Sequence, residues 1–249
     1  MRIKDVLRRI LPAAVWHTLS DGKKRFRETL DAKRPLRSKF TEIYNTDVWR
    51  QPGEKQLKYY SGRGSDDEFT RQYVELVSDF IRRNRITTVL DIGCGDFRVG
   101  RQLVSSNPGI SYTGVDIVEP LIQHNAESFG NLAGVRFLCL NAVSDPLPDA
   151  ELVLIRQVLQ HLSNKNISTI LHKLRKYRWI LASDAVFPTS TPCSNEDMRD
   201  GHVVRERGLF LEKEPFNQEC TCLLITSVRK PNSDFVFEDV RTVLIQHAS

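Results

Sequence analysis

Cysteine is scarce in this sequence: Cys94, Cys139, Cys193, Cys220 and Cys222 are the five among 249 residues. They are too few and too scattered to staple a chain of this length, which excludes a small disulfide scaffold and fits a reducing cytoplasm. Cys220 and Cys222 form the one close pair. Neither a second pair nor a His pair stands at zinc spacing, so they read as ordinary thiols and no metal is expected. Also missing is any run near the roughly 20 apolar residues that a membrane-crossing helix needs. No secretory apolar segment is present either, so nothing implies export. The sequence has no internal repeat and no low-complexity tract. What remains, 40% hydrophobic and 27% charged, is the composition of a globular protein with one sizeable core and a short appendage.

The charge is uneven. The net charge is +5, yet residues 1–40 hold twelve Lys/Arg against four Asp/Glu, a net of +8 that leaves −3 for the rest. The chain therefore divides into a basic N-terminal arm, 1–40, and a nearly neutral domain, 41–249. Within the arm Ile3, Val6, Leu7, Ile10, Leu11, Ala14 and Val15 recur at helical spacing with Arg2, Lys4, Arg8 and Arg9 between them. That pattern predicts an amphipathic helix with a cationic face, kinked or divided at Pro12. One expected role is peripheral contact with the inner face of the cell membrane, each basic residue adding on the order of 1 kcal/mol. The other is packing on the body or on a second subunit. Nucleic acid would also attract a basic arm through its phosphates. Few aromatics are interleaved for base stacking, which disfavours it.

From about residue 68 strands and helices alternate. Phe69, Tyr73, Val74, Leu76, Val77 and Phe80 make a helical stripe, and Thr87 to Ile92 then reads as a buried strand. Further strands are expected at 111–116, 135–140, 152–155 and 179–182, with helices from Val99, over 119–128 and around Ile167 to Leu174. Such alternation predicts a doubly wound, mostly parallel α/β sheet covered on both faces. After Ala185 the pattern breaks into a polar loop, 187–207, expected to lie over the site. Strand-like segments follow at 208–212, 221–228 and 235–246, the last two predicting an antiparallel addition at the sheet edge.

The informative string is Asp91-Ile92-Gly93-Cys94-Gly95-Asp96-Phe97. A strand feeds a turn whose two glycines allow a ligand close to the backbone, where open α/β sheets bind ligands. The next strand ends at Asp116, 21 residues after Gly95, placed to accept both hydroxyls of a ribose. Arg98 stands where a dinucleotide fingerprint requires its third glycine, and Asp91 would repel a pyrophosphate. The same Asp91 attracts cations. An adenosine cofactor with a positive, phosphate-free tail fits better than NAD.

In this setting Asp91-Ile92-Gly93-Cys94-Gly95 resembles the first motif of class I S-adenosylmethionine (SAM)-dependent methyltransferases, and Asp116 matches their second-strand acid. Glu151 to Leu162 is similar to their fourth strand and the helix after it, so the likeness spans about 60–185. It implies a seven-stranded Rossmann-like sheet with an antiparallel edge strand, SAM as cofactor and methyl transfer as the activity. The implied cofactor contacts are Asp91, Gly93, Cys94 and Gly95 along the methionine, Asp116 and Ile117 at the ribose, and Asn141 and Ala142 near the adenine. Asn141 departs from the Asp common there. Ser61-Gly62-Arg63-Gly64-Ser65, Cys94-Gly95-Asp96-Phe97 and Asn195-x-Asp197 are also similar to runs in bacterial methyltransferase-domain proteins encoded among polysaccharide-building enzymes. The acceptor implied is a hydroxyl of a glycan or small metabolite. An RNA methyltransferase or a non-catalytic scaffold is the alternative, although the Asn/Asp-Pro-Pro-aromatic string of amino-methylating nucleic-acid enzymes is absent.

A hydroxyl acceptor calls for positioning and a base. His161, just beyond strand four, is the expected base because imidazole titrates near neutrality; packing against the helix is the alternative. Arg156 and Gln157 at the strand tip are read as ligands of the acceptor or the SAM carboxylate, since a buried Arg needs a partner. Asp184 is a second candidate base, and Arg63 a clamp for the methionine carboxylate. Asn195, Asp197 and Arg205 are read as substrate contacts.

Overall fold

A computed structural model describes residues 34–50, 57–187, 191–229 and 236–247. The chain divides into two compact units, Met1–Pro35 and Leu36–Ser249. The amphipathic helix expected in the arm lies outside the described residues. Among the described residues no helix is long and apolar enough to cross a membrane.

The second unit begins with helix α1, Leu36–Asn45. Then come α2 (Asp67–Asn84), β1 (Thr88–Ile92), α3 (Arg98–Ser106), β2 (Ser111–Asp116), α4 (Glu119–Phe129) and β3 (Val135–Cys139). β4 (Leu152–Arg156), α5 (Asn164–Leu174), β5 (Trp179–Val186), β6 (Thr221–Arg229) and β7 (Val236–Gln246) complete it. The seven strands form one sheet in the order β3-β2-β1-β4-β5-β7-β6. β1 to β5 are parallel, and β7 runs antiparallel between β5 and β6. The order reverses between β1 and β4, which opens a crevice at the carboxyl ends of those strands.

Side chains alternate across the sheet. In β4, Leu152 and Leu154 face α2 and α3, joining Tyr73, Val77, Ile81 and Leu103. Val153 and Ile155 face α5, joining Ile167, Ile170, Leu171 and Leu174. Both faces are therefore apolar, which is why the strand reads as an uninterrupted hydrophobic run. Each such side chain contributes about 1.5–3 kcal/mol by leaving water. α2 also suits its dipole, with Asp67 and Glu68 in its first turn and Arg82 and Arg83 in its last.

The strand expected at 208–212 is absent. Gly208 turns the chain with φ +84°, and Leu209 N–H bonds Ala185 O. Leu209, Leu211 and Phe216 then plug the core from a loop. Their apolar pattern reports burial without reporting extended pairing. The stretch after β4 is likewise a single 3₁₀ turn, Leu159–His161, before α5 starts at Asn164.

Candidate active site

At the switch point the chain leaves β1 into the glycine turn. Gly93 (φ +74°) and Gly95 (φ +54°) both take left-handed backbone. A Cβ on Gly93 would collide with Val158, and one on Gly95 with Ser61 Oγ. Gly93 and Cys94 both donate N–H to Val115 O, at 2.7 and 3.1 Å, which lashes the turn to β2. The acid closing β2 is drawn into the same network. Asp116 accepts Gly95 N–H at 3.2 Å and Val118 N–H at 3.0 Å, and no cation pairs with it among the described residues. Burial raises its pKa.

Asp91 points into the α2 side, where the Tyr112 hydroxyl donates to it. Burial lifts its carboxyl to about 6. An unpaired buried acid in that state gains from an incoming cation.

One cavity of about 810 Å³ opens over these groups. Arg63, Asp91, Gly93, Cys94, Gly95, Asp116, Ile117, Asn141, Ala142, Arg156, Gln157 and His161 all line it, so the residues singled out from sequence meet in one place. Asp184 does not. Its carboxylate sits behind the wall and accepts Gln160 N–H at 3.0 Å, holding the 3₁₀ turn. Burial pushes it up to about 7. The expectation that it faces the acceptor is corrected: Ser183 and Asp184 alternate across the sheet, and Asp184 falls on the turn side.

Arg156 caps β4. It donates to Gln157 Oε1 at 2.6 Å and Gly64 O at 2.9 Å, and its guanidinium lies over the Tyr73 ring. Its Nε has no hydrogen-bond partner, and no ion pair joins Arg156 to Asp91 or Asp96 among the described residues. Gln157, in left-handed backbone at φ 53°, passes its amide to Glu238 Oε1 at 2.9 Å. Arg63 donates to Arg229 O at 2.6 Å and pairs with Glu68 at 3.1 Å.

Arg98 explains itself in three dimensions. It pairs with Asp96 at 2.9 Å and with Asp66, donates to Gly62 O at 3.2 Å and lies over Tyr60. Ser61 N–H bonds Asp96 Oδ2 at 2.9 Å while Asp96 N–H bonds Ser61 Oγ at 2.8 Å. The Ser61–Ser65 run is thereby strapped onto the glycine turn, a coupling that no local sequence pattern shows.

The expected substrate contacts in the long loop are structural instead. Asn195 Nδ2 donates to Phe210 O at 2.8 Å and Glu214 O at 2.9 Å, and its Oδ1 accepts Phe210 N–H at 2.9 Å. Asp197 accepts Asn164 N–H at 2.7 Å and Asp200 accepts Ser163 N–H at 2.8 Å. They cap α5 from a distance. Arg205 is buried and donates to Leu162 O at 2.7 Å.

Sequence reading missed Tyr44, Trp49, His202 and Glu238, all on the cavity wall. Glu238 carried a signal, an acid amid the β-rich 235–246 run. The others carried none. No group of His, Cys, Asp and Glu among the described residues fits a metal ion.

Residues 90–180 match the family model of a methyltransferase domain. No curated protein sequence matches the chain significantly. Among solved structures, the Burkholderia thailandensis 1,6-didemethyltoxoflavin-N1-methyltransferase, with bound 1,6-didemethyltoxoflavin and S-adenosylhomocysteine, superposes with a TM-score of 0.56 at 20% identity, covering 89% of this chain and 90% of that one. The magnesium protoporphyrin IX methyltransferase of Synechocystis PCC 6803, with bound SAM, gives 0.55 at 15% identity, covering 86% and 98%. The N-methyltransferase NodS of Bradyrhizobium japonicum WM9, in complex with S-adenosylhomocysteine, gives 0.54 at 14% identity, covering 75% and 91%.

Proposed function

From a chain that has the fold of class I methyltransferases and carries a methyltransferase domain over residues 90–180, we propose SAM-dependent methyl transfer to a small acceptor, with a hydroxyl of a glycan or small metabolite as the target. The observation that carries this reading is Asp116. It is a buried carboxylate that no cation pairs with among the described residues, fixed by two backbone N–H groups beside the glycine turn on the cavity wall. Ribose hydroxyls are donors that such a group accepts.

SAM supplies, when bound, a methyl group already activated by its sulfonium. The chain's own residues do the holding. Asp91 offers negative charge toward the cationic tail, and Arg63 and Arg156 offer donors to its carboxylate. Ile117, Asn141 and Ala142 border the adenine end. Tyr44, Trp49 and His161 wall the acceptor end, with the Trp49 and His161 rings 5.4 Å apart. Excluding water there favours the in-line approach of the acceptor. The basic residues ahead of α1 bring the domain to an anionic membrane surface in this reading, which sedimentation with anionic vesicles tests.

Titration calorimetry with SAM tests the assignment. Binding is expected for the wild type and its loss in Gly93→Arg; no heat at millimolar SAM sinks it. Transfer from methyl-labelled SAM to a panel of sugars, oligosaccharides and phenols then identifies the acceptor.

A further inference from the structure

The cavity wall carries two imidazoles in contrasting states. His161 has no free ring nitrogen. Ala185 N–H donates to Gln160 Oε1 at 2.6 Å, which turns the Gln160 amide nitrogen toward His161 Nε2 at 3.3 Å. That Nε2 accepts, so the network assigns the ring proton to Nδ1, which donates to Val203 O at 3.3 Å. Burial pushes the ring down to about 4. Protonating Nε2 would break the Gln160 bond, and a base this weak draws a hydroxyl proton poorly.

His202 lines the same cavity with an exposed side chain, and no hydrogen bond or ion pair engages it among the described residues. Its backbone, by contrast, is gripped on both sides by His161. Gly201 N–H donates to His161 O at 3.0 Å, and His161 Nδ1–H holds Val203 O. Arg205 ties the same stretch to Leu162 O and Glu196 O. The nearby carboxylates are engaged elsewhere: Asp91 with Tyr112, Asp116 with Gly95 and Val118, Glu238 with Gln157, and Asp184 with Gln160.

We propose that His202 is the catalytic residue that takes the acceptor's proton, and that His161 is the positioning residue that clamps the loop presenting it. This rests on the methyl-transfer reading above. In the step, the acceptor oxygen bonds the methyl carbon and the S–CH₃ bond breaks with its electron pair going to sulfur. The hydroxyl proton passes to a ring nitrogen of His202. The products are a methyl ether, S-adenosylhomocysteine and an imidazolium that returns its proton to water.

The test uses the full chain. SAM affinity by calorimetry is expected to be unchanged in His202→Ala, while kcat for the acceptor found by the labelled-SAM panel falls by roughly 100-fold or more. Added imidazole is expected to restore part of the His202→Ala rate. His161→Ala is expected to lose less and to gain nothing from imidazole, and His161→Asn, which keeps a donor for Val203 O, to regain most of the rate. Wild-type turnover in His202→Ala, or imidazole rescue of His161→Ala alone, overturns the proposal. A readout without any acceptor runs beside it: carbethoxylation by diethyl pyrocarbonate, mapped by peptide mass spectrometry with S-adenosylhomocysteine present. Fast modification of His202 and protection of His161 are expected, and equal rates overturn the proposal even if no panel compound is methylated. Absent SAM binding in the wild type instead brings down the methyl-transfer reading.

Discussion

Around the glycine turn, backbone N–H groups do the fastening: two on Val115 O, those of Gly95 and Val118 on the Asp116 carboxylate, and that of Asp96 on Ser61 Oγ. The described loop from 191 to 220 has neither helix nor strand, and side chains reinforce a few backbone bonds such as Gly201 N–H to His161 O and Leu209 N–H to Ala185 O. Asn195 spans Phe210 and Glu214, Asp197 and Asp200 cap α5, and Arg205 reaches Leu162. The first arrangement tolerates little change at Gly93 and Gly95, where an added Cβ would collide with Val158 or Ser61. The second fixes a shape through a few buried side chains, which leaves the exposed positions between them open to variation. A cofactor common to many enzymes and an acceptor peculiar to one would be served by that division.

The comparison breaks most sharply at Gly93. Gly93→Val adds a Cβ in left-handed backbone against Val158, a strain of roughly 1–3 kcal/mol before any ligand is lost. SAM binding is expected to become undetectable by calorimetry while far-ultraviolet circular dichroism still reports a folded sheet. Next comes Asp116→Asn. It removes the charge from bonds to ribose hydroxyls, worth about 1.5–3 kcal/mol, so SAM affinity should fall roughly 10- to 100-fold. In the loop the expected signature is inverted. Asn195→Ala strands buried partners at a cost of about 1–3 kcal/mol, lowering the melting temperature while SAM affinity stays within about twofold. A fall in affinity matching that at Asp116 would erase the distinction between the two regions.

The smallest effect concerns pH. Asp91 sits at about 6, above its ordinary value of 3.8. Between those values the folded, ligand-free protein keeps a proton that the unfolded chain has released. Its contribution to stability therefore falls as pH rises through that window and is level above it. A cationic ligand prefers the ionised form, so SAM affinity should rise between about pH 5 and about pH 7, by at most about tenfold. Asp91→Asn should flatten that rise in a calorimetric pH series.

These differences also explain what sequence could reveal. The parallel core was legible because Leu152 to Ile155 is apolar at every position, as a strand covered on both faces must be. That the glycine turn and Asp116 meet was legible because their placement depends on local backbone and a fixed spacing. Asn195, Asp197 and Arg205 were misread as substrate contacts because a polar residue in a loop looks the same whether it faces a ligand or a distant carbonyl. Leu209 and Leu211 were misread as strand because burial from a loop leaves the same apolar mark. His202 passed unnoticed for a related reason: its placement comes from His161, 41 residues earlier, through bonds to its neighbours' backbone.

The place of β7 has a consequence for how the protein is made. The strand latest in sequence is not at the rim but wedged between β5 and β6. During synthesis β6 emerges before β7, the strand that it pairs with, and the flank of β5 stays bare until residues 236–246 clear the ribosome. Ribosomal stalling in the intervening stretch would leave a nascent chain with two unmatched edges, a natural substrate for chaperones.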